Sequence, residues 1–295
     1  MDHKCKIIIF IIIFITIIAL VIYEQKVGFK KLYMSFEHNA FDDQYKGCET
    51  EMMTKAKEFL AEERMQDSEF NEVWEKAETR WTTLTSNIKG KRIQKPFEIA
   101  VIAYTANSSF YKSFNNKVRT CCSSTEDYKK NFHYKAVHFY LTRAIQNLGE
   151  GCTPVSRGIS LRFYPDKTKE MRFGQFASSS KNINEAKKFA MGSGTLYNIS
   201  TCLGASIEHL SYFESQQEVL IPPYEVFNVS DFKSSFTGLN NVSLKSITTC
   251  SNFNCAFQGE KKRNNCPSNS APGDILAWPE HLTHWLLFGL FILFF

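Results

Sequence analysis

The chain has 295 residues, 43% of them hydrophobic and 22% charged, with a formal net charge of +5. A charge that small, spread along the chain without a basic block, argues against nucleic acid as a partner. Aromatic residues make up 14% of the chain, enough to furnish a core,.

The N-terminus is the first feature in chain order. Lys4 and Lys6 precede an unbroken apolar run from Ile7 to Tyr23, and Glu24, Gln25 and Lys26 follow it. This is the order of a charged and then an apolar region in an export signal. The run falls between the usual length of a signal peptide and that of a spanning helix. Lysines flank it on both sides, so charge asymmetry orients it weakly. Residues 1–23 are read as a cleaved signal peptide, with an uncleaved signal anchor as the alternative.

The central part, roughly 230 residues, is enough for one large domain. It is assigned to residues 36–260. Its first half reads as helical. Phe70, Val73, Trp74 and Trp81 form an amphipathic stripe from Ser68 to Ser86,. Val137, Leu141, Ile145 and Leu148 recur at helical spacing, which predicts one long helix from Glu126 to Leu148,.

After Cys152 the pattern changes to short β-rich runs. The predicted strands are Val155 to Leu161, Met171 to Phe176, Thr195 to Thr201, Glu218 to Ile221, Tyr224 to Val229 and Val242 to Thr249, with one helix near Asn184 to Met191,. Helices first and strands later indicate an α+β domain. No G-x-G-x-x-G opens a helix, which disfavours a doubly wound dinucleotide fold,.

At the C-terminus, Trp285 to Phe295 is an apolar tail too short to span a bilayer comfortably,. Small residues, Ser268 to Ala271, and a polar spacer from Pro272 to His284 precede it. That is the order of a glycosylphosphatidylinositol (GPI) attachment signal. Residues 270–295 are read as the removed propeptide and Asn269 or Ser270 as the anchor residue.

Eight of the nine cysteines lie beyond the leader. Export exposes them to an oxidising compartment, so disulfides are the default reading of Cys48, Cys152, Cys202 and Cys255. No C-x-x-C pair occurs and the cysteines are scattered, which discounts a metal site,. The adjacent Cys121 and Cys122 read as two separately paired cysteines or a free thiol. Sequons at Asn107, Asn198, Asn228 and Asn241 suit a glycosylated ectodomain,.

The common catalytic signatures, H-E-x-x-H, G-x-S-x-G and a Walker loop, are absent,. His133 and His138 make a poor metal pair and read as structural. Three segments stand out together instead: Val155-Ser156-Arg157-Gly158, Phe173-Gly174-Gln175-Phe176-Ala177-Ser178-Ser179-Ser180, and Gln216-Gln217-Glu218-Val219-Leu220-Ile221-Pro222-Pro223. Each has a bland reading alone. Arg157 could be a surface arginine, Ser178 a cap for the next helix, and Glu218 a polar residue opening a strand.

In this order they resemble the Arg–Ser–Glu signature of the vertebrate ecto-mono-ADP-ribosyltransferases, the arginine-type branch. Further family-like strings are Phe41-Asp42-Asp43-Gln44-Tyr45, Phe132-His133-Tyr134-Lys135, Arg172-Phe173-Gly174-Gln175-Phe176 and Thr201-Cys202-Leu203-Gly204. The resemblance covers about Phe41 to Cys255. It implies the ADP-ribosyltransferase fold, a helical N-terminal part followed by a mainly β core of two packed sheets. It also implies an enzyme at the outer leaflet of the plasma membrane, held by a GPI anchor or released. The enzyme would use NAD⁺ as substrate, with no bound cofactor and no metal, and would transfer ADP-ribose to acceptor side chains or water.

The same resemblance assigns roles. Glu218 is the carboxylate that stabilises positive charge on the ribose as the nicotinamide bond breaks, as in an oxocarbenium-like transition state. Arg157 matches the arginine that holds the diphosphate, a task for a planar, permanently charged fork of donors. Gly158 stands where the backbone approaches the nicotinamide amide, and Ser178 braces the glutamate and the ribose. Phe189 aligns with an aromatic that stacks on nicotinamide. Cys48 pairs with Cys255 and Cys152 with Cys202; the resemblance does not account for Cys121, Cys122, Cys250 and Cys266, for which a Cys250–Cys266 bridge is one option.

Two positions depart from the family. Arginine-specific members carry E-x-E, whereas Gln216 stands here two residues before Glu218. A glutamine cannot supply the charge that grips a guanidinium. Ser156 replaces the usual aromatic before the arginine. The two functions carried forward are an extracellular NAD⁺-cleaving mono-ADP-ribosyltransferase or NAD⁺ glycohydrolase, and a surface antigen or binding protein that keeps the fold with little activity.

Overall fold

A computed structural model describes Phe14, Thr16, residues 31–84 and 90–259, and Cys266. Apart from Phe14 and Thr16, the segments read as leader and anchor signal, Asn269 and Ser270 included, lie outside the described residues. Among the described residues no helix is long and apolar enough to cross a membrane.

Helices dominate the first half. They are α1 (Glu49–Gln66), α2 (Ser68–Leu84), α3 (Lys95–Thr105), α4 (Phe110–Thr120), α5 (Thr125–Asn131), α6 (Lys135–Leu148) and, further on, α7 (Ile183–Phe189). Helix α3 is their centre, since every residue from Phe97 to Thr105 is buried. Asp67 divides α1 from α2. One of its carboxylate oxygens accepts the Phe70 amide at 2.9 Å and the other the Tyr134 hydroxyl at 2.8 Å,.

The single helix predicted from Glu126 to Leu148 is two helices. Ser124 caps α5 through the Asp127 amide. The chain then turns out of the helix at Phe132, whose ring is buried 4.7 Å from that of Phe41. Glu63 of α1 restarts it by accepting the Ala136 amide at 2.8 Å,. Tertiary packing of Phe132 and a carboxylate from a distant helix override the continuous apolar spacing.

The strands are β1 (Leu32–Tyr33), β2 (Thr153–Ile159), β3 (Phe163–Tyr164), β4 (Glu170–Met171), β5 (Ala177–Ser180), β6 (Thr195–Thr201), β7 (Ala205–Ser206), β8 (Glu218–Ile221), β9 (Glu225–Lys233) and β10 (Asn240–Thr249). Eight form one sheet in the order β4-β9-β10-β6-β2-β5-β8-β7, and β1 pairs with β3. The two packed sheets expected are two halves of that larger sheet. Their junction is narrow: β2 and β5 share a single register pair, Ser156 with Ser180.

Alternation along β8 shows how the halves stack. Val219 and Ile221 join an apolar cluster with Val155, Tyr197, Ile199, Val229, Val242 and Leu244 of the longer half. Leu220, between them, joins the helical core with Phe176 and Ile207. The short half β5-β8-β7 is thus the middle layer, with helices on one face and the longer half on the other.

The strand predicted from Met171 to Phe176 ends at once. Arg172 turns inward, fully buried, and bonds Asp42 at 2.5 Å and the carbonyls of Phe36, Glu37 and Cys250. Gly174 then turns the chain with φ +61°,. The serine run that follows forms strand β5 because its hydroxyls find partners, Ser179 donating to the Val219 carbonyl at 2.8 Å and Ser180 to that of Gln216 at 2.5 Å,. The helix after it is capped by Asn182 and not by Ser178.

Cys48 is bonded to Cys255 and Cys152 to Cys202. Cys121 and Cys122 are bonded to each other, a correction to the expectation of separate partners or a free thiol. Cys250 and Cys266 are each disulfide-bonded. His138 is buried, with Nδ1 2.8 Å from the Tyr45 hydroxyl and Nε2 3.2 Å from the Phe41 carbonyl, a structural histidine.

Candidate active site

The site lies at the junction of the two half-sheets. Strand β2 carries Arg157, β5 carries Ser178, and β8 opens with Glu218. Ser180 pairs with both Ser156 and Glu218, so one residue of β5 sets the register of the other two strands. The Arg157 guanidinium crosses the junction and donates to the Ser178 carbonyl, and it lies 5.7 Å from the centre of the Phe173 ring,. Burial lowers its pKa from the ordinary arginine value, and the group remains a cation,.

Glu218 is 7% exposed. Burial raises its pKa above the usual carboxylate value, while hydrogen bonds from Ser178 and Ser211 and the charge of Arg157 act in the opposite direction,. The Ser211 hydroxyl donates to Oε2 at 3.1 Å. The three residues singled out in the sequence are therefore brought together, a half-buried cation and a buried carboxylate on either side of a half-buried serine.

Three further residues complete the surroundings. Tyr104, at the end of α3, donates to the Phe176 carbonyl at 3.1 Å, and its oxygen accepts from Asn115 of α4 at 2.9 Å. Burial pushes the Tyr104 phenol up to about 12, against the opposite influence of the neighbouring Ser178 hydroxyl. Tyr104, Asn115 and Ser211 were not found from the sequence. A tyrosine on an apolar helix and a serine in a loop carry no spacing signal.

Gly158 also carries a packing constraint. A Cβ there would stand 1.8 Å from the Ala186 carbonyl oxygen and 2.9 Å from the Ala190 nitrogen. Its missing side chain admits α7 against β2. Phe189, the last residue of α7, is 55% exposed. Gln216 closes a 3₁₀ turn, Glu214–Gln216, and is half-buried. Gln217 follows in the left-handed region with φ 47°, and its carbonyl accepts the Lys181 amide at 3.1 Å. The loop before Glu218 is thus tied to the end of β5 on both residues.

Of the sequons, Asn107 is exposed between α3 and α4, and Asn198 is exposed within β6. Asn228 of β9 and Asn241 of β10 are half-buried.

A buried carboxylate and a half-buried guanidinium at the split of a two-part sheet define a site suited to a substrate that is anionic at one end and develops positive charge at the other. The comparisons identify the class. Residues 34–252 match the family model of NAD:arginine ADP-ribosyltransferases. The chain is 41% identical over 261 residues to ecto-ADP-ribosyltransferase 5 of Bos taurus, covering 83% of this chain and 80% of that one. It is also 41% identical over 238 residues to T-cell ecto-ADP-ribosyltransferase 1 of Mus musculus, covering 78% and 79%. The crystal structure of the eukaryotic mono-ADP-ribosyltransferase ART2.2 superposes with a TM-score of 0.66 at 38% identity, covering 76% of this chain and 98% of that one. A variant of that enzyme has been solved with NADH, and another with NAD.

The chain belongs to the NAD:arginine ADP-ribosyltransferase family. Its substrate is NAD⁺, and its fold is the α+β fold of the vertebrate ecto-mono-ADP-ribosyltransferases.

Proposed function

We propose that this protein cleaves NAD⁺ outside the cell at Arg157, Ser178 and Glu218 and passes the ADP-ribose to an acceptor side chain or to water. The bond that breaks joins ribose C1′ to the nicotinamide nitrogen, and its electron pair leaves with nicotinamide. Positive charge builds on the ribose, and Glu218 is the anion that stabilises it, an effect worth roughly 3 kcal/mol or more when preorganised. The acceptor nitrogen or oxygen then bonds to C1′ and loses its proton.

Arg157 is the diphosphate clamp in this reading, and Ser178 braces Glu218. Phe189 covers the nicotinamide. Gly158 contributes indirectly, by letting α7 sit close enough to present Phe189. Gln216 stands where an acceptor guanidinium would meet a carboxylate, so water or a neutral acceptor competes with arginine here. The observation that carries the reading is the convergence of Arg157, Ser178 and Glu218 at the one junction of the half-sheets.

The catalytic domain spans residues 36–260, between a signal peptide at 1–23 and a GPI propeptide at 270–295. Attachment at Asn269 or Ser270 places the enzyme on the outer leaflet, from which some is released. Asn107, exposed in a loop, is the favoured sugar site; Asn198, Asn228 and Asn241 are all held in strands, and of these Asn198 is the exposed one.

Cells displaying the protein, given labelled NAD⁺, should release nicotinamide, and Glu218→Ala should remove the release. A wild-type surface that neither releases nicotinamide nor gains labelled protein would establish the inactive surface-antigen reading instead. Release of the protein by a phosphatidylinositol-specific phospholipase tests the anchor.

A further inference from the structure

We infer that Ser211 is a positioning residue for Glu218, the dedicated hydrogen-bond donor that fixes the carboxylate and sets the pH at which it works. The inference rests on Glu218 being the catalytic carboxylate proposed above. Its basis is a count of hydroxyl protons around Glu218.

Two serine hydroxyls reach the carboxylate, Ser178 and Ser211, and each has one proton to give,. Ser178 is shared. It lies within hydrogen-bonding reach of Tyr104 as well as Glu218. Tyr104 gives its own proton to the Phe176 carbonyl at 3.1 Å and already accepts from Asn115 at 2.9 Å. With the Tyr104 proton committed elsewhere, the Ser178 proton is divided between the tyrosine oxygen and the glutamate.

Ser211 has no such choice. Its oxygen accepts the Phe213 amide at 3.1 Å, and its proton goes to Glu218 Oε2 at 3.1 Å. The residue is 1% exposed, so water does not compete. Its backbone is held from the helical layer on both sides. Arg80 of α2 donates to the Ser211 carbonyl at 3.2 Å with its guanidinium 4.3 Å from the Tyr212 ring centre, and the Tyr212 amide donates to Thr105 of α3 at 3.3 Å. A second tie runs within the loop, from the Ser211 amide to the Ile207 carbonyl at 2.9 Å. Helices α2 and α3 thereby fix a hydroxyl against a carboxylate on β8.

The charged and titratable groups that act on Glu218 are Arg157 from β2 and Tyr104 from α3. Neither is altered by truncating Ser211. Loss of the Ser211 donor leaves the buried carboxylate with less compensation for its desolvation, so its pKa rises further.

The test uses the protein displayed on cells. Ser211→Ala should lower kcat for nicotinamide release about tenfold, leave KM for NAD⁺ within about twofold, and move the acid limb of the kcat–pH profile to higher pH, as expected of lost orientation and one lost donor. Ser211→Thr should restore the limb. Should the alanine variant fail to reach the surface, Ser211→Cys, similar in size and a weaker donor, reads the same limb. An unmoved acid limb in a surface-expressed Ala or Cys variant overturns the positioning role, as does a loss of activity that threonine does not rescue. Glu218→Gln is measured alongside. If that variant still cleaves NAD⁺ the catalytic reading has failed, whereas an inactive Glu218→Gln beside a wild-type-like Ser211→Ala removes the positioning role alone.

Discussion

The carbonyl oxygen of Ala186 lies 1.8 Å from where a Cβ on Gly158 would stand, and backbone cannot yield as a flexible side chain can. Gly158 is therefore a packing requirement for α7. Gly158→Ala should push α7 off β2 and cost about 1–3 kcal/mol, the usual range for overpacking. Thermal unfolding should show a lowered Tm. Because α7 ends at Phe189, KM for NAD⁺ should rise more than kcat falls. A variant with wild-type Tm and KM would show that α7 sits further from β2 than this.

In the proposed reaction Glu218 acts as an anion, yet burial raises its pKa. The ionised fraction falls as pH drops through that raised value, so the rate should decline on the acid side at a pH above the ordinary carboxylate range near 4.3. The kcat–pH profile of nicotinamide release measures this directly. Arg157→Lys keeps a positive charge but loses the planar fork, so it should weaken NAD⁺ binding at least tenfold and shift the limb little. A profile flat to below pH 4 would refute the raised pKa.

The order Arg157, Ser178, Glu218 was legible because each sits in a local string that resembles the family signature. The strands under Glu218 and Thr195 were legible too, since apolar runs between turn residues leave few alternatives. What sequence could not supply were contacts set by distant chain. The break at Phe132 depends on Phe41 and Glu63. The serine run lies outside the predicted strands and becomes one only because Val219 and Gln216 provide the carbonyls that its hydroxyls need. Tyr104 and Ser211 join the site from opposite ends of separate segments, 107 residues apart by the Tyr212–Thr105 tie that links their neighbours. The pairing of Cys121 with Cys122 is bounded by no spacing rule.

Gln216 closes a 3₁₀ turn and its own carbonyl is pinned by the Ser180 hydroxyl, so a glutamate there would occupy the same place without rebuilding the loop. Gln216→Glu should raise labelling of a guanidino acceptor such as agmatine by tenfold or more relative to nicotinamide released to water, because a charge-assisted bond to guanidinium adds about 1.5–3 kcal/mol. The partition between labelled acceptor and free ADP-ribose is the measurement. An unchanged partition would place acceptor choice outside this residue.

Disulfide loss should be graded by position. Cys152 and Cys202 flank the antiparallel pair Thr153 with Thr201 and are separated by 50 residues, whereas Cys48 and Cys255 are separated by 207 and join the start of α1 to the 3₁₀ turn Ala256–Gln258. Each double alanine variant should lose about 2–5 kcal/mol, and the longer loop more. Denaturant unfolding of the two variants decides the order.

The last expectation concerns stability and pH. His138 is buried between Tyr45 and Phe41, and burial lowers its pKa from 6.5 to about 3. The folded state therefore keeps the ring neutral where the unfolded chain protonates it. Between pH 6.5 and about 3 the unfolded state binds more protons, so this residue removes stability as pH falls, by about 1.4 kcal/mol per unit within that window,. His138→Gln keeps a donor for the Phe41 carbonyl and cannot titrate. It should be less stable than wild type at pH 7 through lost packing, and its stability should fall less steeply below pH 6.5. Parallel stability–pH curves for the two proteins would mean that the histidine charges in the folded state, which its burial against four aromatic rings, those of Phe41, Tyr45, Phe132 and Phe176, opposes,.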